Sequence, residues 1–178
     1  MRPRLISTLV LALGLTATLA SAQVTKESIQ GISNFSRVET TIACAGATTP
    51  GAVVEVKRLG FASIINLREA SEAGADVEAE AAAAKAAGIN YIHLPFKAAA
   101  PDPAVVDQFL TAVSAPANQP AFVHCASANR ASALWMIKRM IVDGWDADRA
   151  GTEAAALGLT SAPLKTFALN YVATHGKK

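Results

Sequence analysis

Apolar positions along the chain fall into two kinds of block. Short runs rich in β-branched and aromatic residues, Thr40 to Cys44, Ala62 to Leu67, Asn90 to Leu94 and Ala121 to His124, are bounded by Gly, Pro or Asn, the pattern of buried strands. Longer alanine-rich stretches with helical spacing separate them. Pro50 sits in a first helical turn that Gly60 closes, and Glu78 to Ala87 is a run of strong helix formers ended by Gly88. Pro103 to Val113 puts Val105, Val106, Phe109, Leu110 and Val113 on one face behind Asp102 as N-cap. The final third is helical, over Ala128 to Val142, Asp146 to Ala156 and Ala162 to Ala173. Alternating strands and helices followed by helices alone predict an α/β fold, a mainly parallel sheet of four to five strands with helices on both faces and extra C-terminal helices.

The N-terminus follows a different pattern. Arg2 and Arg4 precede an apolar stretch from Leu5 to Leu19, and Ala20-Ser21-Ala22 is the small-residue site a signal peptidase needs. Residues 1–22 therefore read as a secretory signal, with a retained N-terminal anchor as the rival that the shortness of the apolar run disfavours; the signal predicts a periplasmic or secreted product with no membrane association once it is cut. Residues 23–36 read as a polar lead-in and residues 37–178 as one domain. The 178-residue chain has 39 alanines, and its 16 basic and 14 acidic side chains become evenly matched once Arg2 and Arg4 leave with the signal. No field remains to argue for nucleic acid as a partner, and three scattered histidines have no metal-ligand spacing.

Chemistry concentrates at the end of the last strand. Phe122-Val123-His124-Cys125 runs into Ala126-Ser127-Ala128-Asn129-Arg130-Ala131-Ser132 and then a long helix. Cys125 is thus at the carboxyl end of a strand facing a helix N-terminus, where ligands bind in open parallel sheets. Unpartnered N–H groups and the helix dipole stabilise an anion there and favour a thiolate. Arg130 adds a planar fork suited to a tetrahedral oxyanion. A thiolate, a ring of donors and a guanidinium are the parts needed to attack a phosphoryl or sulfuryl group.

His124-Cys125 with Arg130 and Ser132 resembles the signature loop of cysteine-dependent protein tyrosine and dual-specificity phosphatases. Gly60-Phe61-Ala62-Ser63-Ile64-Ile65-Asn66-Leu67-Arg68 and Gly88-Ile89-Asn90-Tyr91-Ile92-His93-Leu94-Pro95 are similar to stretches of one bacterial branch, the phosphatase-like domains of beta-lactamase hydrolase-like proteins (DUF442). The resemblance implies a protein tyrosine phosphatase-like fold and a phosphorylated or other oxyanionic substrate. It also implies Cys125 as nucleophile, Arg130 as phosphate clamp and the main chain of Ala126, Ser127, Ala128, Asn129 and Arg130 as cradle. His124 would hold the loop by a hydrogen bond, and Ser132 would lower the thiolate pKa or assist its departure. No metal or organic cofactor is implied.

The sequence departs from the phosphatase pattern in two places. Four residues rather than five separate Cys125 from Arg130, and Ala128 stands where a glycine is usual, leaving Asn129 to adopt a left-handed turn. In the phosphatases that the sequence resembles, an aspartate on the loop after the stretch matching Gly88–Pro95 is the general acid; here Asp102 is the only carboxylate in that loop, and it sits where a helix cap belongs. Cys, four residues, Arg is a length shared with rhodanese-like sulfurtransferases, which carry a persulfide and need no such acid. A non-catalytic oxyanion-binding module is the third reading. Cys44 should end the first strand, with another strand between it and Cys125 in the resembling fold. Two strand spacings of about 9.6 Å lie beyond disulfide reach, so Cys125 is expected free and Cys44 buried. Arg68 is expected to pair with Glu69, Glu72 or Glu78, His93 to be a hydrogen-bonded core histidine, and Trp135 and Trp145 to serve core or subunit contact.

Overall fold

The structure, a computed structural model, describes residues 23–176. The secretory signal expected over residues 1–22 lies outside them. Strands β1 (Val24–Lys26), β2 (Ser36–Val38), β3 (Ile42–Ala45), β4 (Ser63–Asn66), β5 (Asn90–His93) and β6 (Ala121–His124) form one sheet in the order β1-β2-β3-β6-β4-β5. Strands β3, β6, β4 and β5 run parallel, while β1 and β2 add an antiparallel edge.

The four parallel strands are those the apolar runs predict. Strand β6 is central, with Val123 opposite Cys44 on one side and Ile65 on the other, and all four of its residues are buried. The antiparallel pair raises the sheet to six strands, beyond the four to five expected, and β1 comes from the segment read as lead-in. Each added strand has three residues, too few for a period of two to register.

Helices cover both faces. A 3-10 turn (Pro50–Ala52), α1 (Val53–Arg58) and α2 (Val77–Ala87) close one face over Ala43, Ala45, Ile64 and Phe122. Helices α3 (Pro103–Ser114), α4 (Asn129–Ile141), α5 (Ala147–Leu157) and α6 (Ala162–His175) close the other over Ile42, Cys44, Ile65 and Val123. Alternation along each strand sends odd and even residues into different cores. Helix α4 lies between the sheet and its neighbours, so Arg130 through Arg139 are all buried.

Local chemistry fixes the helix ends. Asp76, Asp102 and Asp146 accept hydrogen bonds from Ala79 N (3.0 Å), Ala104 N (2.9 Å) and Arg149 N (2.8 Å). Because the four parallel strands point the same way, the segments leaving β3, β4, β5 and β6 gather at one sheet edge.

Candidate active site

Cys125 follows β6 directly, is 1% exposed and donates its backbone N–H to Ala45 O at 3.1 Å. The chain then turns through Ala126, Ser127 and Ala128 into α4, whose first N–H groups have no helical carbonyl to reach. The left-handed residue is Ala128, at φ +73°, and not Asn129 as the sequence suggested. Asn129 is instead the first residue of α4, and its Oδ1 accepts from Thr160 N (2.7 Å), Thr160 Oγ1 (3.2 Å) and Ser161 N (2.7 Å). Helical backbone at Asn129 pushes the positive φ back by one residue. On its other side the loop is held by Ala47 N donating to Ala126 O at 3.1 Å, beside Gly46. A Cβ on Gly46 would come within 3.1 Å of that carbonyl oxygen and 2.4 Å of Ser33 Oγ, so the close approach depends on glycine. A cleft of about 820 Å³ borders the loop at Ser127 and Asn129, with Lys26, Asn34 and Thr160 among its walls.

Arg130 leaves the second position of α4 and is held by three chain segments. Its Nη1 donates to Leu67 O (3.1 Å), Phe96 O (3.1 Å) and Glu72 Oε1 (2.5 Å), and Nη2 donates to Glu72 Oε2 (2.7 Å). The fork therefore meets the carboxylate with both amino groups. Burial works against the guanidinium charge, but Glu72 and the nearby Cys125 outweigh it and raise the Arg130 pKa. The hydrogen bond from Arg130 in turn holds the Glu72 carboxyl down to about 2. Nη1 and one hydrogen of Nη2 are engaged, which leaves Nε–H and the second Nη2–H for an anion at Cys125.

Glu72 is the site residue that sequence reasoning missed, having considered it only as a partner for Arg68. Both pairings occur. Arg68 Nε lies 3.4 Å from Glu72 Oε2, while its amino groups donate to Gly74 O (2.9 Å) and Ala73 O (2.6 Å), shaping the segment that carries Glu72. The available signal was an acidic residue four positions beyond Arg68 in a loop that leaves the same sheet edge as Cys125.

Other expected residues fall in different places. Asp102 caps α3. His93 is partly buried, with Nε2 2.7 Å from Arg68 O. Trp135 is buried and donates to Glu153 Oε1 at 2.6 Å, and Trp145 packs on Arg139 and Arg149, with guanidinium carbons 4.1 and 3.6 Å from its ring centre.

Three expectations about the loop's surroundings need correction. His124 makes no hydrogen bond to the loop; its ring is buried on the α2 side of the sheet, with Nε2 2.9 Å from Glu80 Oε1. The Ser132 hydroxyl is buried and makes no hydrogen bond to Cys125; it lies beside Cys44, whose thiol burial pushes strongly up, with the hydroxyl working weakly against that rise. Cys44 is also not two strands from Cys125. β3 pairs directly with β6, placing Cys44 opposite Val123 and on the same face as Cys125. Both cysteines are free and buried, but strand separation is not the reason. Among the described residues, no three of His, Cys, Asp and Glu are grouped to hold a metal ion.

Comparison with known proteins agrees with this architecture. The family model described as the phosphatase-like domain of beta-lactamase hydrolase-like protein matches residues 34–142. The structure of TpbA from P. aeruginosa superposes with a TM-score of 0.64 at 22% identity, covering 88% of this chain and 92% of that one. A DUF442 protein from Shewanella putrefaciens gives 0.69 at 20% identity, over 83% and 97% of the two chains. The core catalytic domain of the PP-IP phosphatase Siw14 from S. cerevisiae gives 0.66 at 20% identity, over 80% and 87%. A search of curated proteins gives no match. The fold is that of the cysteine-dependent, protein tyrosine phosphatase-like proteins.

Proposed function

We propose that this chain, which belongs to the family of the phosphatase-like domain of beta-lactamase hydrolase-like proteins, is an exported phosphatase that hydrolyses phosphate monoesters through Cys125. The observation that carries the reading is the pairing of a cysteine at a helix N-terminus with a guanidinium aimed by Glu72. In the first step the Cys125 thiolate forms an S–P bond as the P–O bond to the leaving group breaks. The phosphoryl oxygens are held by the loop's N–H groups and by the free donors of Arg130. In the second step water attacks phosphorus, the S–P bond breaks, and inorganic phosphate leaves with the thiolate restored.

Asp102 is the candidate proton donor to the leaving oxygen. The substrate is a phosphorylated or other oxyanionic molecule, a reading supported by the TpbA structure in complex with pTyr and by Siw14 in complex with citrate. The signal expected at residues 1–22 supports a periplasmic or secreted location. Sulfur transfer through a Cys125 persulfide is the second reading, favoured by the engagement of the Asp102 carboxylate in capping α3.

Intact mass of the reduced protein decides between them, acid-quenched after exposure to para-nitrophenyl phosphate or, separately, to thiosulfate. A phosphoryl adduct lost in Cys125→Ser is the expected result. One added sulfur atom would assign the sulfurtransferase reaction, and no adduct from either reagent would leave an oxyanion-binding module.

A further inference from the structure

Two buried titratable groups that this reaction does not use adjoin the cysteine loop. His124 precedes Cys125, and Glu80 reaches the same place from α2; both are buried. Glu80 Oε2 accepts hydrogen bonds from Asn66 Nδ2 (2.8 Å) and Tyr91 Oη (3.2 Å). Its other oxygen, Oε1, is 2.9 Å from His124 Nε2. That approach is out of line for a well-formed hydrogen bond, yet neither Oε1 nor either ring nitrogen has another partner. In the sheet His124 is flanked by Ala45 and Asn66, and its ring stacks on Phe122 at 5.7 Å. Asn66 is already engaged, since its Oδ1 accepts from Arg68 N at 2.8 Å and its amide donates to Glu80 and Tyr91.

These contacts select a tautomer. Two donors meet Oε2, so the carboxylate offers Oε1 as an acceptor, and an acceptor facing Nε2 requires Nε2–H. Nδ1 is buried without a partner, and a bare nitrogen there is less costly than an orphaned N–H. We propose that Glu80 is a positioning residue for the cysteine loop, its carboxylate holding His124 as the Nε2–H tautomer and so fixing the residue from which the loop departs. The proposal rests on the role assigned to Cys125, but its readouts require no turnover.

Glu80→Gln tests it with little change of shape. If the amide oxygen keeps the Asn66 and Tyr91 hydrogen bonds, its NH2 faces Nε2 and demands a lone pair there, driving the ring to the Nδ1–H form. Imidazole ¹⁵N shifts report the tautomer directly, and peptide mass reports iodoacetamide alkylation at Cys125. The expected result is Nε2–H in the wild type and Nδ1–H in Glu80→Gln, with alkylation slowed about tenfold as the buried carboxylate's attraction for the Nε2–H side of the ring is lost. Glu80→Asp, which keeps the carboxylate, should recover part of the rate. An Nδ1–H ring in the wild type, or alkylation of Glu80→Gln within twofold of the wild type, overturns the proposal. If wild type and Glu80→Gln meet these expectations but the wild type turns over no phosphate ester, the phosphatase reading is refuted and the role of Glu80 stands.

Discussion

Replacing Glu72 with Gln removes the charge that aims Arg130 while keeping the side chain's size. The carboxyl is held at about 2 against an ordinary 4.5. At about 1.4 kcal/mol per unit, that difference bounds the contribution at roughly 3 kcal/mol. Solvent reaches 21% of the Glu72 side chain, so screening brings the expected loss to about 1–2 kcal/mol at pH 7. The pH dependence is the sharper test. Because the folded-state pKa lies below the unfolded one, the stabilisation is fully present above about pH 5. It declines as the unfolded chain begins to take up the proton and is gone below about pH 2. Urea unfolding of wild type and Glu72→Gln, followed by Trp135 and Trp145 fluorescence from pH 7 to pH 3, should show a gap that is constant down to about pH 5 and narrows below it. A gap of constant size across that range would refute the ion-pair reasoning and make the substitution one of packing alone.

Three further outcomes follow from the same geometry. Gly46→Ala should fold but lose about 1–3 kcal/mol, because Ser33 Oγ can rotate away from the new Cβ whereas the Ala126 carbonyl, 3.1 Å off, cannot; urea unfolding and phosphate affinity, which should fall with it, check this. Asp102→Ala should cost about 1 kcal/mol as a lost cap, while Asp102→Asn keeps the cap. If Asp102 is also the acid, Asp102→Asn will slow hydrolysis of alkyl phosphates about a hundredfold or more and spare para-nitrophenyl phosphate. Glu153→Ala should cost about 3–5 kcal/mol by thermal or urea unfolding, since buried Glu153 accepts from Trp135 Nε1 (2.6 Å) and from Arg139 Nε (2.7 Å) and Nη2 (3.0 Å).

The parts legible in the sequence are those encoded in consecutive residues. Strand β6, Cys125 and α4 are contiguous, so apolar run, turn and helix read as one unit, and the Asp102 cap is local to α3. Contacts made across the fold were not legible. Glu72 lies 58 residues from Arg130, and nothing in either segment names the other. Pairing of β3 with β6 depends on sheet order, which apolar runs do not specify; the expected two-strand separation of Cys44 from Cys125 failed there, although both cysteines are free and buried as expected. The family resemblance assigned His124 to holding the loop, but side chains alternate across a strand. The imidazole therefore sits on the face opposite Cys44 and Val123, in reach of Glu80.

The loop's shape runs against its composition, since Ala128 holds φ +73° where a Cβ costs about 1–2 kcal/mol. Such a conformation persists only when the surroundings over-determine it, and three contacts do so from outside. Asn129 Oδ1 is tied to Thr160 and Ser161, Ala126 O takes the Ala47 N–H, and Gly158 leaves open the space over Ala128. A Cβ on Gly158 would stand 3.0 Å from the Ala128 Cβ, at a φ of +119° that itself favours glycine. Ala128→Gly would relieve the local strain but lose a buried methyl worth about 0.8 kcal/mol and gain unfolded-state freedom, so stability should change by no more than about 1 kcal/mol. Gly158→Ala, thirty positions along the chain, should cost about 2 kcal/mol or more and weaken phosphate binding by pressing on the loop. Paired urea titrations and phosphate affinities for the two variants test this directly. A loss above about 2 kcal/mol in Ala128→Gly, with Gly158→Ala near wild type, would mean that the loop is shaped by its own residues and not by the elements around it.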